Sequence, residues 1–366
     1  MAARTNKSMI KRSARIYLND LNAGKRLALV QFLRLCRDVQ QFFIDLFWQR
    51  QDFTGALTEL PLIHRAVNRF GITTRLSQAM AKQAKEIIAS RRTFKVSKPR
   101  LRRHVATLFY HFFNVETFAG EGFDWCVKFT GSGAPRLVAP FKSTAVVNRR
   151  LREGWTISKT IRLGRDGRRL WIDLILEKER PAPKHRGEIV GMDSNYKAGF
   201  VFSNGEQVGR EIYDRIQQFG KRQKHTFAEI DSMVGRALNQ VDWPSIRILA
   251  IEDLERVKHG RRGTSPRHLN RRLSHWLYRP SAARIERHCE EHGVTLEYKG
   301  PWKTSQRCPA CGKWDKRNRR GDIFLCVECG HTDHADLNAA KNLEELAMAG
   351  IYGFRFPQNP KRPSFG

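Results

Sequence analysis

Four cysteines in two Cys-x-x-Cys pairs, Cys308/Cys311 and Cys326/Cys329, stand near the end of the 366-residue chain. Fourteen residues separate the inner two, and each pair is followed by glycine, Gly312 and Gly330. Thiolates at this spacing close a tetrahedral zinc site, and the glycines suit tight knuckle turns. Because four thiolates leave no open position, the expected zinc is structural, and the nearby His331 and His334 are superfluous as ligands. Seven residues after Cys329 comes Asp336, in His-Ala-Asp-Leu-Asn-Ala-Ala-Lys-Asn at a helix start. Taken alone, Asp336 could be a helix cap. Two further acids change its meaning: Asp193 follows the apolar Ile189-Val-Gly-Met, and Glu252 ends the apolar run 246–251. Three hard carboxylates suit a pair of magnesium ions roughly 3.5–4 Å apart, the arrangement used to hydrolyse a phosphodiester.

The elements that must position these acids are legible in outline. Residues 246–251 form an apolar run broken only by Arg247, the pattern of a strand buried on both faces. The segment from Glu188 reads as strand, turn and strand, ending in an Asn204-Gly205 hairpin turn. Helical stretches to about 240 and over 265–292, then a short strand near Val294–Tyr298, complete an alternating α/β pattern with a mixed sheet. A carboxylate in a first strand, one ending a central strand and one on a late helix is the chain order of the RNase H-like nuclease fold. Upstream, residues 10–18 read as a strand. Leu27, Val30, Leu33, Cys36, Val39, Phe43 and Phe47 mark a long amphipathic helix. Helical patterns recur at about 74–92 and 100–114. Residues 123–180 are β-rich, with a hairpin signature at Asp166-Gly167. The expected organisation is a small β-barrel from 1–20 and 123–180 with a helical insertion at 21–122. A nuclease domain from 181–303 and 334–350, a zinc knuckle at 304–333 and a tail at 351–366 follow.

Charge narrows the partner. Lysine and arginine number 67 against 36 acidic residues, a formal charge of +31. Self-repulsion on this scale is ordinarily neutralised by a polyanion, and nucleic acid is the expected one. A membrane partner is not expected, since no polybasic amphipathic helix is set apart from the fold. The three cysteines outside the knuckle, Cys36, Cys126 and Cys289, are scattered, which is no secreted disulfide framework, and a cytoplasmic protein is expected. Between Val257 and Ile285 no acidic residue occurs, while Lys258, Arg261, Arg262, Arg267, Arg271 and Arg272 do, with Trp276 interleaved. A solvated helix face would mix signs, so this stretch is expected to contact phosphates.

These residues resemble the transposon-encoded TnpB family and the related compact type V CRISPR effectors. Gly191-Met-Asp193 matches the first nuclease motif and Ile251-Glu-Asp-Leu the second. The knuckle matches in Thr304-Ser-Gln-Arg-Cys-Pro-Ala-Cys-Gly with Cys326-Val-Glu-Cys-Gly, and the third motif in Asp336-Leu-Asn-Ala-Ala-Lys-Asn. The resemblance covers about residues 188–345; the N-terminal half is similar only in layout, a wedge-like β-barrel with a helical recognition insertion. It implies an RNA-guided DNA endonuclease with a single RuvC-type site, whose partners are a guide RNA and double- and single-stranded target DNA. A monomer, or a dimer on one RNA, would read its target by base pairing plus a short flanking motif. It also implies that Arg319 assists catalysis from the knuckle. Two departures stand out: Asn195 where the family usually has glycine, and His334 where an acid often precedes the third motif. A nuclease-dead RNA-guided repressor and a guide-free resolvase or transposase accessory are the alternatives. The intact set of acids argues against the first, and the long basic N-terminal half against the second.

Neutralising Arg271 and Arg272 together should weaken binding about equally for all DNA targets and lower the salt slope by roughly one to two units. Salt-titrated binding to several targets checks this; an unchanged slope and affinity would mean that these arginines face solvent.

Overall fold

The computed structural model describes residues 9–53, 57–92, 97–120, 122–131, 133–219, 224–253, 278–300 and 303–354. The chain divides into two compact units at Glu179/Arg180, where the Pro-rich linker composition begins.

The first unit opens with β1 (Met9–Tyr17) and three helices, α1 (Ala23–Gln49), α2 (Leu60–Phe70) and α3 (Thr74–Arg92). Asn22 caps α1, its side-chain oxygen accepting from the Lys25 amide at 2.9 Å. The apolar stripe of α1 is buried through Leu33, Cys36, Val39, Phe43 and Phe47, whereas Leu27 faces solvent. Then come β2 (Val105–Phe109), β3 (Phe113–Thr117), β4 (Trp125–Phe129), β5 (Leu137–Phe141), α4 (Ala145–Arg152), β6 (Thr156–Asp166) and β7 (Arg169–Glu179). The helix expected over 100–114 is therefore a pair of short strands. Ala106 and Leu108 are buried on one face of β2 while their neighbours are only partly covered, a period of two rather than 3.6.

The expected barrel is also revised. Among the described residues the strands form two antiparallel sheets, one ordered β1-β7-β6-β2 and one ordered β3-β4-β5, and no closed ring. The physical reason lies at the free edge of β2. Gln83 of α3 accepts from the Thr107 amide at 2.8 Å and donates to the Thr107 carbonyl at 2.9 Å, while Gln40 of α1 reaches the Val105 carbonyl at 3.3 Å. Helix side chains thus satisfy the backbone groups that a further strand would have paired.

The second unit is built on a five-stranded mixed sheet. Its strands are β8 (Glu188–Asn195), β9 (Gly199–Phe202), β10 (Gln207–Val208), β11 (Ile246–Glu252) and β12 (Thr295–Lys299), in the order β10-β9-β8-β11-β12. β8 and β12 flank β11 in parallel, and β9 returns antiparallel to β8. Between strands lie α5 (Glu211–Gln217), α6 (Lys224–Leu238) and α7 (Tyr278–His292). After the strands β13 (Arg319–Arg320), β14 (Ile323–Leu325) and β15 (Thr332–His334) comes α8 (Ala335–Met348).

Alternation along the strands assigns the two faces. Val190, Met192, Leu249 and Ile251 join a core with Ile212, Val234 and Ile285 of α5, α6 and α7. Ile189, Ile248 and Ala250 pack instead with Leu343 and Leu346 of α8. Gly191, Asp193 and Glu252 fall on this second face by the same period of two. Gly191 is where α8 comes closest, because a Cβ there would overlap the Ala340 carbonyl oxygen.

Substituting Gly191→Ala forces α8 off the sheet and should cost about 1–3 kcal/mol, the usual range for overpacking a core. Urea denaturation followed by circular dichroism checks this; an unchanged midpoint would show that the helix can retreat without loss.

Candidate active site and thiolate centre

Three carboxylates converge where β8, β11 and α8 meet. Ile251 pairs with Met192, so the next residues, Glu252 and Asp193, lie side by side at the same end of two parallel strands. Asp336 occupies the first turn of α8. The ring of His334 caps that helix, Nδ1 accepting from the Asp336 amide at 3.3 Å. Asp193 and Asp336 are both buried, at 8% and 3% exposure. Burial pushes the Asp193 carboxyl well above the usual carboxylate range, and the charges of Glu252 and Asp336 push it further. Arg319 and the Ser194 amide act in the opposite direction.

Around the acids stand polar side chains from three different elements. Asn195, at the end of β8, donates from Nδ2 to Asp336 Oδ1 at 2.8 Å. Its own oxygen accepts from the Lys197 amide at 2.9 Å, which fixes the orientation of its amide. The guanidinium of Arg319 lies 3.6 Å from the same Asp336 oxygen. His334 Nδ1 is 3.8 Å from the other one. Both departures from the resembled pattern therefore meet at Asp336, Asn195 at its carboxylate and His334 at its backbone amide. Thr304 donates its hydroxyl to Glu252 Oε1 at 2.7 Å. In the sequence Thr304 is only the first residue of the knuckle motif Thr304-Ser-Gln-Arg-Cys, and nothing there assigns it a role at the carboxylates. A cleft of about 430 Å³ lined by Asn195, Tyr196, Lys197, Gln306, Arg319 and Asp322 opens beside the acids.

The four cysteines also converge. Cys308 and Cys329 sulfurs lie 3.7 Å apart, those of Cys311 and Cys326 3.5 Å apart, and all four fall within 4.8 Å of one another. A tetrahedron with metal–sulfur bonds of 2.3 Å has edges of about 3.8 Å, so the donor set fits a structural metal ion. Gly312 and Gly330 stand at φ +74° and +73°, the left-handed conformation that closes each turn onto Cys308 and Cys326. Burial pushes the Cys308 thiol up to about 12. Cys326 is held down at about 7: burial opposes this, but hydrogen bonds from the Cys329 and Glu328 amides outweigh it. Phe324, fully buried, packs with Cys308 and Cys326, one cysteine from each pair. The last strand of this knuckle, β15, runs without a break into α8 and Asp336.

Of the residues singled out in the sequence, Asp193, Glu252, Asp336 and Arg319 meet at one place and the four cysteines at another. The basic stretch, Lys258, Arg261, Arg262, Arg267, Arg271, Arg272 and Trp276, lies outside the described residues. No helix among the described residues is long and apolar enough to cross a membrane.

The raised Asp193 carboxyl makes the metal-free protein lose stability as pH climbs from the unfolded carboxyl value of about 3.9 toward its folded value; below about 3.9 the penalty vanishes. In the presence of a chelator, Asp193→Asn should therefore melt above the wild type at pH 7, with the gap narrowing as pH falls toward 4. Differential scanning fluorimetry across pH checks the sign; a variant less stable at pH 7 contradicts it.

Comparison with known proteins bears on the C-terminal region. Residues 278–343 match the family described as Cas12f1-like, TNB domain. The CRISPR-associated endodeoxyribonuclease Cas12f1 of Sulfoacidibacillus thermotolerans is 41% identical over 75 residues, 20% of this chain and 18% of that protein. The TnpB-like protein aq_aa05 of Aquifex aeolicus is 34% identical over 107 residues, 28% of this chain and 34% of that protein. The chain thus spans about a fifth and a third of the lengths of these two relatives. A cryo-EM structure of a Cas12f1–sgRNA–target DNA complex aligns over 87% of this chain and 82% of that one, with a TM-score of 0.49 and 12% identity. By its thiolate knuckle and the start of its Asp336 helix, the C-terminal region of this chain is similar to TnpB-like and compact type V CRISPR proteins, and its residues 278–343 match the Cas12f1-like TNB domain.

Proposed function

We propose that this chain is an RNA-guided DNA endonuclease that hydrolyses target DNA at a single RuvC-type site. The observation that carries the proposal is the convergence of Asp193, Glu252 and Asp336 at one edge of the mixed sheet, with Asp193 buried against the charges of the other two. Burying Asp193 within reach of the charges of Glu252 and Asp336 is costly without cations, and a site arranged in this way favours divalent metal. Asp193, Glu252 and Asp336 would hold two magnesium ions. When bound, such ions lower the pKa of the attacking water and neutralise charge on the leaving oxygen.

The chain's own residues supply the remainder. Arg319, 3.6 Å from Asp336, would offset charge on the phosphate being cut. The cleft lined by Asn195, Lys197 and Arg319 lies beside Asp336, which Asn195 and Arg319 reach, and would receive a single strand there. The four thiolates, a donor set that suits zinc, hold the knuckle from which Arg319 projects. The names of the relatives support a DNA endonuclease, since one is a CRISPR-associated endodeoxyribonuclease. The charge of +31 supports a guide RNA and target DNA as partners, with Lys258, Arg261, Arg262, Arg267, Arg271, Arg272 and Trp276 along the nucleic-acid path. The setting would be the prokaryotic cytoplasm.

Asp193→Ala should abolish magnesium-dependent cleavage while leaving guided DNA binding nearly intact, because binding arises from base pairing and phosphate contacts elsewhere. The check is cleavage and mobility-shift assays on protein purified with its copurifying RNA. Full activity in Asp193→Ala would remove the proposal.

A further inference from the structure

Thr304 sits at a junction between the two metal-binding constellations. Its hydroxyl, 2% exposed as a residue, donates to Glu252 Oε1 at 2.7 Å, a short bond to a charged acceptor. Its carbonyl is gripped from the other side by α8. Asn342 Nδ2 reaches the Thr304 carbonyl at 2.8 Å and the Arg307 carbonyl at 2.8 Å, and Asn338 Nδ2 reaches the Arg307 carbonyl at 3.0 Å. Both asparagines are fully buried. The Arg307 guanidinium returns to Asn342 Oδ1 at 2.8 Å and to Glu345. Residues 304–307 are thereby clamped to the helix that bears Asp336, two residues before Asn338.

The same segment leads directly into Cys308. Asn318, with no exposed surface, ties it to the second cysteine pair: its Nδ2 donates to the Gln306 carbonyl at 3.0 Å and its Oδ1 accepts from the Val327 amide at 2.9 Å. Gln306 and Arg307 are thus fixed from the knuckle on one side and from α8 on the other. An unbroken chain of hydrogen bonds and covalent links runs from the thiolates to the Glu252 carboxylate.

We propose that Thr304 is a positioning residue of the carboxylate site: its hydroxyl aims Glu252, and the knuckle, through the Asn338–Asn342 clamp, holds Thr304 in place. Metal on the thiolates and divalent metal on the carboxylates then bind cooperatively, each raising the affinity for the other. The inference rests on the reading that Asp193, Glu252 and Asp336 hold divalent metal. Thr304 touches no reacting atom and acts only through Glu252.

The test is direct titration of the full chain with Mn2+, followed by the electron paramagnetic resonance signal of the free ion, with thiolate-bound zinc quantified in the same samples. Thr304→Val keeps the shape and removes the donor. It should weaken Mn2+ binding about 10–100-fold, the usual cost of losing a hydrogen-bond partner of a metal ligand, with zinc content unchanged. Thr304→Ser restores the hydroxyl and should restore the affinity. Where Thr304→Val fails to retain zinc or a cooperative melting transition, Thr304→Ala is read in its place. Cys329→Ser, which removes a thiolate, should lose zinc and weaken Mn2+ binding in parallel. Wild-type Mn2+ affinity in the folded Thr304 variant overturns the positioning role, and wild-type affinity in zinc-free Cys329→Ser overturns the cooperativity. Asp193→Ala separates this failure from that of the parent reading. If Asp193→Ala weakens Mn2+ and the Thr304 variant does not, only the present inference falls; if neither does, the carboxylate site itself is not a metal site.

Discussion

The second unit depends on how closely one helix backbone approaches one strand. At Gly191 the absence of a side chain lets the Ala340 carbonyl rest against β8, and the same contact brings the first turn of α8 to the end of that strand. Any Cβ there would act as a spacer at the base of the site. The buried alanines Ala335, Ala339 and Ala340 serve the same closeness from the helix side. A small-residue contact is thus what lets Asp193 and Asp336, 143 positions apart in the chain, share one electrostatic environment.

That closeness is electrostatically expensive. Asp193 is desolvated and faces two like charges, a combination that disfavours ionisation twice over. Such an arrangement is unfavourable for folding alone, and groups with strongly shifted protonation equilibria concentrate at functional sites. Positive charge reaches the cluster from Arg319, which projects from the knuckle. Asn195 and Thr304 add neutral donors, each directed at a different carboxylate. The acids are thus oriented by neighbours on three separate elements, and orientation of this kind is what metal ligands require.

The knuckle is consequently more than an appended module. Its final strand becomes the helix of Asp336 without an intervening loop, and its first residues are bonded to that helix by Asn338 and Asn342. Entry and exit of the thiolate segment are anchored on the same helix, so the knuckle and the sheet edge form one continuous structure within this unit. In the first unit a comparable economy appears at β2, where glutamines from two helices complete a sheet edge in place of a strand.

Local patterns in the chain were enough for the cysteine pairs with their glycines, the apolar strand before Glu252, the hairpin at Asn204-Gly205 and the amphipathic α1. Each of these expresses itself within a few residues, through spacing, periodicity or turn chemistry. The order of the three acids was legible too, because it follows the order of the elements that carry them. Other features depended on partners distant in sequence. Residues 100–114 carry an ambiguous pattern, and pairing with β6 and β4 decided that they form strands. Whether the first unit's strands closed into a barrel turned on Gln83 and Gln40 occupying an edge, which no local pattern announces. The hydrogen bonds of Thr304 and Asn195 to carboxylates 52 and 141 positions away likewise exist only after folding, since a side chain's partner is set by packing rather than by its neighbours in the chain.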